Sequence, residues 1–387
     1  VPAVLLPAVR ALHAAEALET LKPYLPAESY EALFWIAAEQ CSVDQAIEHA
    51  GVTVAQIADP DDLAAALAHP DSQRRFHLVD SVEDLLDILD APLEKWRIFL
   101  HPSQARLVER HFNGPARVLG GAGTGKTVVA MHRARHLACH LFTAPDDRIL
   151  FTTFTRNLAN NIRQNLQNLC GPEVERIEVT PLHALAVRLL ERAGQQVHVL
   201  DEATSAQFWR NAIEQAGPSE FSEGFLRQEW SAIVQAQGII DRPGYLQASR
   251  QGQRMPLNRG QRAAIWRVFE AYRMALTQHH WLEWPDVIRL ARSLVEMQPI
   301  SRPYRAVVVD ETQDLHAEQL RFVRALAPEG ANDLFFVGDA HQRIYGQPVV
   351  MAQCGIAIRG RSARLRINYR TTEQIRRWST AILANTA

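Results

Sequence analysis

The pattern of apolar and polar positions changes near residue 115. Residues 1–95 hold short stretches in which apolar side chains recur at helical spacing, broken by prolines and acidic turns, as in LPAESYEALFWIAAEQCSVDQAIEHAG and SVEDLLDILDAPLEKW. Leu33, Ile36 and Ala37 fall on one helical face, and Gly51 closes that stretch as a C-terminal cap would. After Pro115, four β-branched, aliphatic or aromatic runs each end in a polar cluster and lead into a helical pattern: ARVLGGAGTGKT, DRILFTTFTRN, RAVVVDETQD and DLFFVGDAHQ. That succession predicts a parallel α/β sheet whose ligands gather at the carboxyl ends of the strands. Residues 188–284, between the second and third runs, are polar and helical and read as an insertion.

Composition narrows the class. With 387 residues, 47% of them hydrophobic, the chain has enough apolar surface for two or three cores, and no stretch offers the roughly 20 apolar residues a bilayer span needs. Cys41, Cys139, Cys170 and Cys354 lie without C-x-x-C spacing, which argues against a zinc site or a disulfide framework and for a reducing compartment. No basic segment followed by an apolar core stands near Val1, so the expectation is a soluble, cytoplasmic protein without an export signal. The absence of an initial Met points to a processed chain or a piece of a longer one.

The net charge of -2 conceals an asymmetry. Residues 1–100 carry 17 acidic against 6 basic side chains, leaving 26 against 35 in the remainder. A basic body of this kind fits a polyanionic partner. Within the insertion, residues 242–273 hold Arg242, Arg250, Arg254, Arg259, Arg262, Arg267 and Arg273 against the single acid Glu270, interleaved with Trp266, Phe269 and Tyr272. This pattern fits an amphipathic helix whose basic face is either turned to nucleic acid or simply solvated. Only Lys22, Lys95 and Lys126 are lysines.

Lys126 sits in the most specific motif of the chain. Gly120, Gly121, Ala122, Gly123, Thr124, Gly125, Lys126 and Thr127 follow an apolar strand and open a helix, the context a phosphate-binding loop requires. Glycines let backbone N–H groups converge on phosphate oxygens, the lysine reaches the β- and γ-phosphates, and the threonine can ligate Mg2+. At the end of the third strand, Asp310 is suited to bind the metal and Glu311 to polarise an attacking water.

With these residues in place, the chain resembles superfamily 1 helicases of the UvrD/Rep type. The D-E-x-Q-D box of that family stands as Asp310, Glu311, Thr312, Gln313 and Asp314, its G-D-x-x-Q-x-I-Y box as GDAHQRIYG, and its N-Y-R-[ST] box as Asn368, Tyr369, Arg370 and Thr371. TFTRNLA and TPLH approximate two further boxes, and HPSQARLV supplies a glutamine upstream of the cradle. The resemblance implies a P-loop, RecA-like parallel-sheet lobe with an inserted helical subdomain and an N-terminal helical region. It implies ATP and Mg2+ as cofactors, and single-stranded DNA or duplex/single-strand junctions as partners. Gln104 would contact the adenine and Tyr369 stack on it, Gln342 would sense the γ-phosphate, and Arg370 would act as an arginine finger. Phe154, Arg156, His183 and Tyr345 would grip single-stranded DNA.

The layout that follows is an acidic accessory region at 1–95 with a possible protein partner, and a first motor lobe at 96–187 and 285–360. The helical subdomain is inserted at 188–284, and 361–387 opens a second lobe. Two departures from the family pattern stand out. Tyr345 and Gly346 are followed by Gln347 and Pro348 where the family carries a stacking Trp, and the chain runs only sixteen residues past Thr371, without the later boxes. The function implied is an ATP-dependent DNA helicase or translocase of 3'→5' polarity, weakly active in this portion alone. An ATP and single-strand binding module, or an RNA-directed or nuclease-coupled ATPase, are the alternatives.

Overall fold

The computed structural model describes residues 99–339 apart from 219, 251–254 and 298–301, residues 349–365, Asn368, and isolated short pieces elsewhere, chiefly between residues 3 and 43. The expectations for Gly51 and most of residues 37–95, and those for Gln342, Tyr345, Tyr369 and Arg370, lie outside the described residues.

Among the described residues there are six parallel strands: β1 (Ala116–Gly120), β2 (Ile149–Thr152), β3 (Ile177–Val179), β4 (Ala306–Val309), β5 (Leu334–Gly338) and β6 (Ser362–Leu365), with β3-β2-β4-β5 neighbours in that order and β1 beside β6. The four runs read from the pattern of apolar positions are β1, β2, β4 and β5. Every residue of β2, β4 and β5 is buried, which is why these strands read as unbroken apolar runs and not as alternation. By packing, the chain divides into two compact units: Val1–Phe112, Ala116–Val129 and Ile358–Ala387 form one, Asn113–Pro115 and Ala130–Ala357 the other.

In the first unit β1 and β6 run side by side, with Val118 opposite Ala363 and Gly120 opposite Leu365. Leu18, Leu25 and Tyr30 cluster with Leu119 of β1. Ser362–Leu365, within the stretch expected to open a second lobe, pairs with the strand that leads into the cradle. Which neighbour a strand joins is decided by long-range backbone pairing, and four residues of local sequence carry no record of it.

In the second unit, Phe151 of β2 stands opposite Val308 of β4, and Val308 opposite Phe335 of β5. The helix Arg156–Leu169 buries Ala159, Ile162 and Leu166, a 3–4 spacing, and Thr155 caps it by accepting from the Leu158 N–H. The helices between Glu202 and Gln278 have their own core, in which Trp209 stacks on Tyr272 at 4.1 Å and both surround Phe269 and Trp230. A capping box of Asn258 and Gln261 starts the longest of them, Arg259–Gln278.

This core settles the fate of several basic residues. Arg250 pairs with the buried Glu229 at 2.7 Å, and Arg262 donates to the Leu246 and Ala248 carbonyls at 3.0 and 3.1 Å. Arg273 donates to the Ile239 and Ile240 carbonyls and lies 5.0 Å from the centre of the Trp230 ring. Three arginines of the basic stretch therefore tie the helices together, while Arg242, Arg259 and Arg267 remain exposed. Trp266, Phe269 and Tyr272 are core residues.

Candidate functional site

The cradle follows β1, whose buried residues fix where the chain leaves the sheet. Gly123 and Gly125 have φ of 78° and 82°, the left-handed region open to glycine without strain. Gly120 answers a different need: a Cβ there would meet Thr124 Oγ1 at 2.4 Å and Leu365 Cβ at 3.1 Å. Thr124 Oγ1 and Lys126 Nζ both donate to the Gly121 carbonyl, at 2.9 and 3.0 Å, so the loop closes on itself and holds the ammonium at its mouth. The helix Lys126–His136 begins at once, with Val129 N–H donating to Gly125 O, and Thr127 lies in its first turn. Backbone N–H groups and the helix dipole thereby converge on one small volume suited to anionic oxygen.

Two further residues of the same unit touch this loop. Gln104 is buried and its Nε2 donates to the Thr124 carbonyl at 2.9 Å, so the glutamine upstream of the cradle supports the loop directly. Asn368 Nδ2 donates to the Ala122 carbonyl at 3.1 Å. No role was foreseen for Asn368 within its box; the signal that could have found it is its place directly before Tyr369.

In the second unit β4 delivers Asp310, 1% exposed, and Glu311. The Asp310 N–H donates to Thr152 O at 2.9 Å, and its Oδ1 accepts the Glu311 N–H at 2.9 Å. Glu311 adopts φ 53° and ψ 45°, a left-handed turn that ends the strand. Its Oε2 accepts from Gln313 Nε2 at 2.7 Å.

Beside these acids lies a shallow cleft lined by Phe154, Leu182, His183, Asp310, Leu315 and Gln319. Buried Thr152 ends β2 and buried Thr153 follows it, presenting Phe154 to solvent, 48% exposed, with Arg156 exposed in the first turn of the following helix. His183 begins the helix Leu182–Arg192 next to Gln319, and its ring meets Trp284 edge-on with centroids 4.7 Å apart. Burial, then the neighbouring His316, lowers the pKa of His183, so its imidazole is neutral at physiological pH. The structure thus brings Phe154, His183 and Asp310 to one cleft. Trp284, 41% exposed, was missed by the sequence reading, although an aromatic ahead of Pro285 at a helix start was the signal available.

A glycine cradle whose lysine bonds a loop carbonyl and an acid pair at a parallel strand end define the class as a P-loop α/β domain. Residues 100–347, nearly two thirds of the chain, match the UvrD/REP helicase N-terminal domain, and the chain belongs to that family. It is 30% identical over 246 residues to the ATP-dependent DNA helicase PcrA of Leuconostoc citreum, an alignment covering 60% of this chain and 31% of the relative. With the PcrA of Bacillus subtilis (strain 168) the identity is 26% over 259 residues, covering 64% and 33%. The chain spans about a third of the length of the curated relatives it matches.

Proposed function

We propose that this chain is the nucleotide-binding part of an ATP-dependent DNA translocase or helicase, with 3'→5' polarity as the family resemblance implies. The observation that supports the reading is the cleft that Phe154 and His183, the side chains proposed to contact nucleic acid, share with Asp310 of the acidic strand end. Single-stranded DNA would lie across Phe154 and Trp284 by base stacking, with Arg156 and the neutral His183 taking backbone contacts that are indifferent to sequence. Tyr345 would add to this surface.

ATP and Mg2+ are the cofactors proposed. The cradle fits a triphosphate because Gly123 and Gly125 take the left-handed turns that let backbone N–H groups converge, and Lys126 brings the only cation of the loop. Thr127 and Asp310 offer hard oxygen donors of the kind Mg2+ prefers, and the metal when bound supplies charge neutralisation at the phosphates. Lys126 would exchange its bond to Gly121 O for phosphate oxygen, Gln104 and Tyr369 would hold the adenine, and Glu311 would orient and deprotonate water. Gln342 and Arg370 would sense and stabilise the γ-phosphate. We read residues 188–284 as an inserted helical subdomain, supported by their separate aromatic core, and residues 1–95 as an accessory region for a protein partner. Among the described residues no helix is long and apolar enough to cross a membrane.

The test is ATP turnover by the full-length protein with and without single-stranded DNA, beside Lys126→Ala. DNA-stimulated turnover lost by at least 100-fold in the variant is expected. Turnover unaffected by DNA, or unchanged by the substitution, overturns the reading.

A further inference from the structure

Gln313 reaches in two directions. Its Nε2 donates to Glu311 Oε2 at 2.7 Å, and its Oε1 accepts the backbone N–H of Asp339, at the end of β5, at 3.0 Å. Beside it Thr312 Oγ1 donates to the Val337 carbonyl at 2.8 Å, so the short turn Thr312–Asp314 is fastened to β5 at two points. The approach is close: a Cβ on Gly338 would lie 2.8 Å from Gln313 Oε1 and 3.4 Å from the Gln313 backbone nitrogen. Glycine at 338 is what lets the amide seat there.

Glu311 needs such a partner. A non-glycine residue at φ 53° costs about 1–3 kcal/mol, and it persists only where its surroundings over-determine it. The Asp310 carboxylate fixes its backbone N–H. Its side chain, with three rotatable bonds, is fixed by the Gln313 amide. We infer that Gln313 is a positioning residue: it holds the Glu311 carboxylate in one orientation and registers it against the backbone of Asp339, so that the turn after β4 is held in register with the end of β5. This rests on the role proposed above for Glu311. The task needs a donor and an acceptor on one head group, and among side chains of this length only glutamine carries both.

Steady-state ATP turnover of the full-length protein, with Mg2+ and saturating single-stranded DNA, tests this in Gln313→Ala, Gln313→Glu and Lys126→Ala. Gln313→Glu preserves the shape and the acceptor for the Asp339 N–H but sets a second carboxylate against Glu311 in place of the donor, whereas Gln313→Ala removes donor and acceptor without adding charge. A merely structural contact leaves kcat of folded Gln313→Ala near wild type. A positioning role lowers kcat at least 10-fold in both Gln313 variants, with KM for ATP within twofold, because the interaction acts on the transition state and not on nucleotide binding. Gln313→Glu with kcat within twofold of wild type, or a loss confined to KM, overturns the assignment. If Gln313→Ala does not fold, Gln313→Glu decides alone. Turnover surviving Lys126→Ala means the nucleotide reading has failed; turnover lost there but kept in Gln313→Glu means that only the Gln313 assignment has.

Discussion

Three glycines of one loop should respond to alanine in three different ways. At Gly121 a new Cβ meets nothing within 4 Å, and the backbone has no positive φ. At Gly125 the φ of 82° puts any L residue in the left-handed region, and the Cβ lies 3.4 Å from Gln104 Nε2, the amide that supports the loop. The strain is about 1–3 kcal/mol. In the free protein the loop can relax and shed part of it; binding a triphosphate restores the conformation in which the N–H groups converge, so the cost falls on affinity. At about 1.4 kcal/mol per factor of ten, Gly125→Ala should bind ATP roughly 5- to 150-fold more weakly. Gly120→Ala has a 2.4 Å clash with Thr124 Oγ1 and a 3.1 Å approach to Leu365 Cβ, so it should lower the melting temperature as well as the affinity. Titration of a fluorescent ATP analogue with Mg2+, alongside thermal melts, measures all three. Equal weakening by Gly121→Ala and Gly125→Ala, or Gly125→Ala within twofold of wild type, would refute the steric argument.

Arg133 is fully buried in the helix Lys126–His136 and donates to Asn332 Oδ1 at 2.7 Å, with burial lowering its pKa to about 10; Arg133→Ala should cost about 3 kcal/mol in denaturant unfolding. Arg250→Met leaves the Glu229 carboxylate buried without its guanidinium and should destabilise the helical region around it by about 3–5 kcal/mol, with ATP affinity unchanged in the same titration. The lowered pKa of His183 means that the unfolded chain binds a proton more readily than the folded one. Stability therefore falls as pH drops from the ordinary histidine value toward the lowered one, and chemical denaturation of His183→Gln across pH 7 to 5 should show a shallower decline.

The parts of the molecule that sequence made legible are those whose chemistry is local. The cradle is eight consecutive residues, and its strand, loop and helix are adjacent in the chain, so both motif and placement could be read. Asp310 and Glu311 were readable for the same reason, following four apolar residues of a buried strand. β3 escaped because Ile177–Val179 is three residues long and follows a turn of Pro172–Arg176, too short for any period. The π-helical turns at Leu137–Leu141 and Trp230–Gln235 leave no mark in apolar spacing. The two-way contact of Gln313 depends on Asp339, 26 residues away, and Trp284 meets His183 of the cleft only because the chain folds the two rings together. The basic stretch misled for a related reason: an arginine that bonds a carbonyl and one that faces water are the same letter.

Those arginines separate two responses to ionic strength. Guanidinium groups bonded to buried carboxylate and carbonyl oxygen lie where mobile ions do not reach, so raising salt should leave the melting of the helices around Trp209 and Phe269 almost unmoved. Arg242, Arg259 and Arg267 face solvent, and any phosphate contact they make is exchanged against counterions. With about 0.7 to 0.9 ions released per contact, these three can add at most roughly 2 to 3 to the slope of log affinity against log salt. The six described arginines of the stretch thus behave, toward a polyanion, as about three.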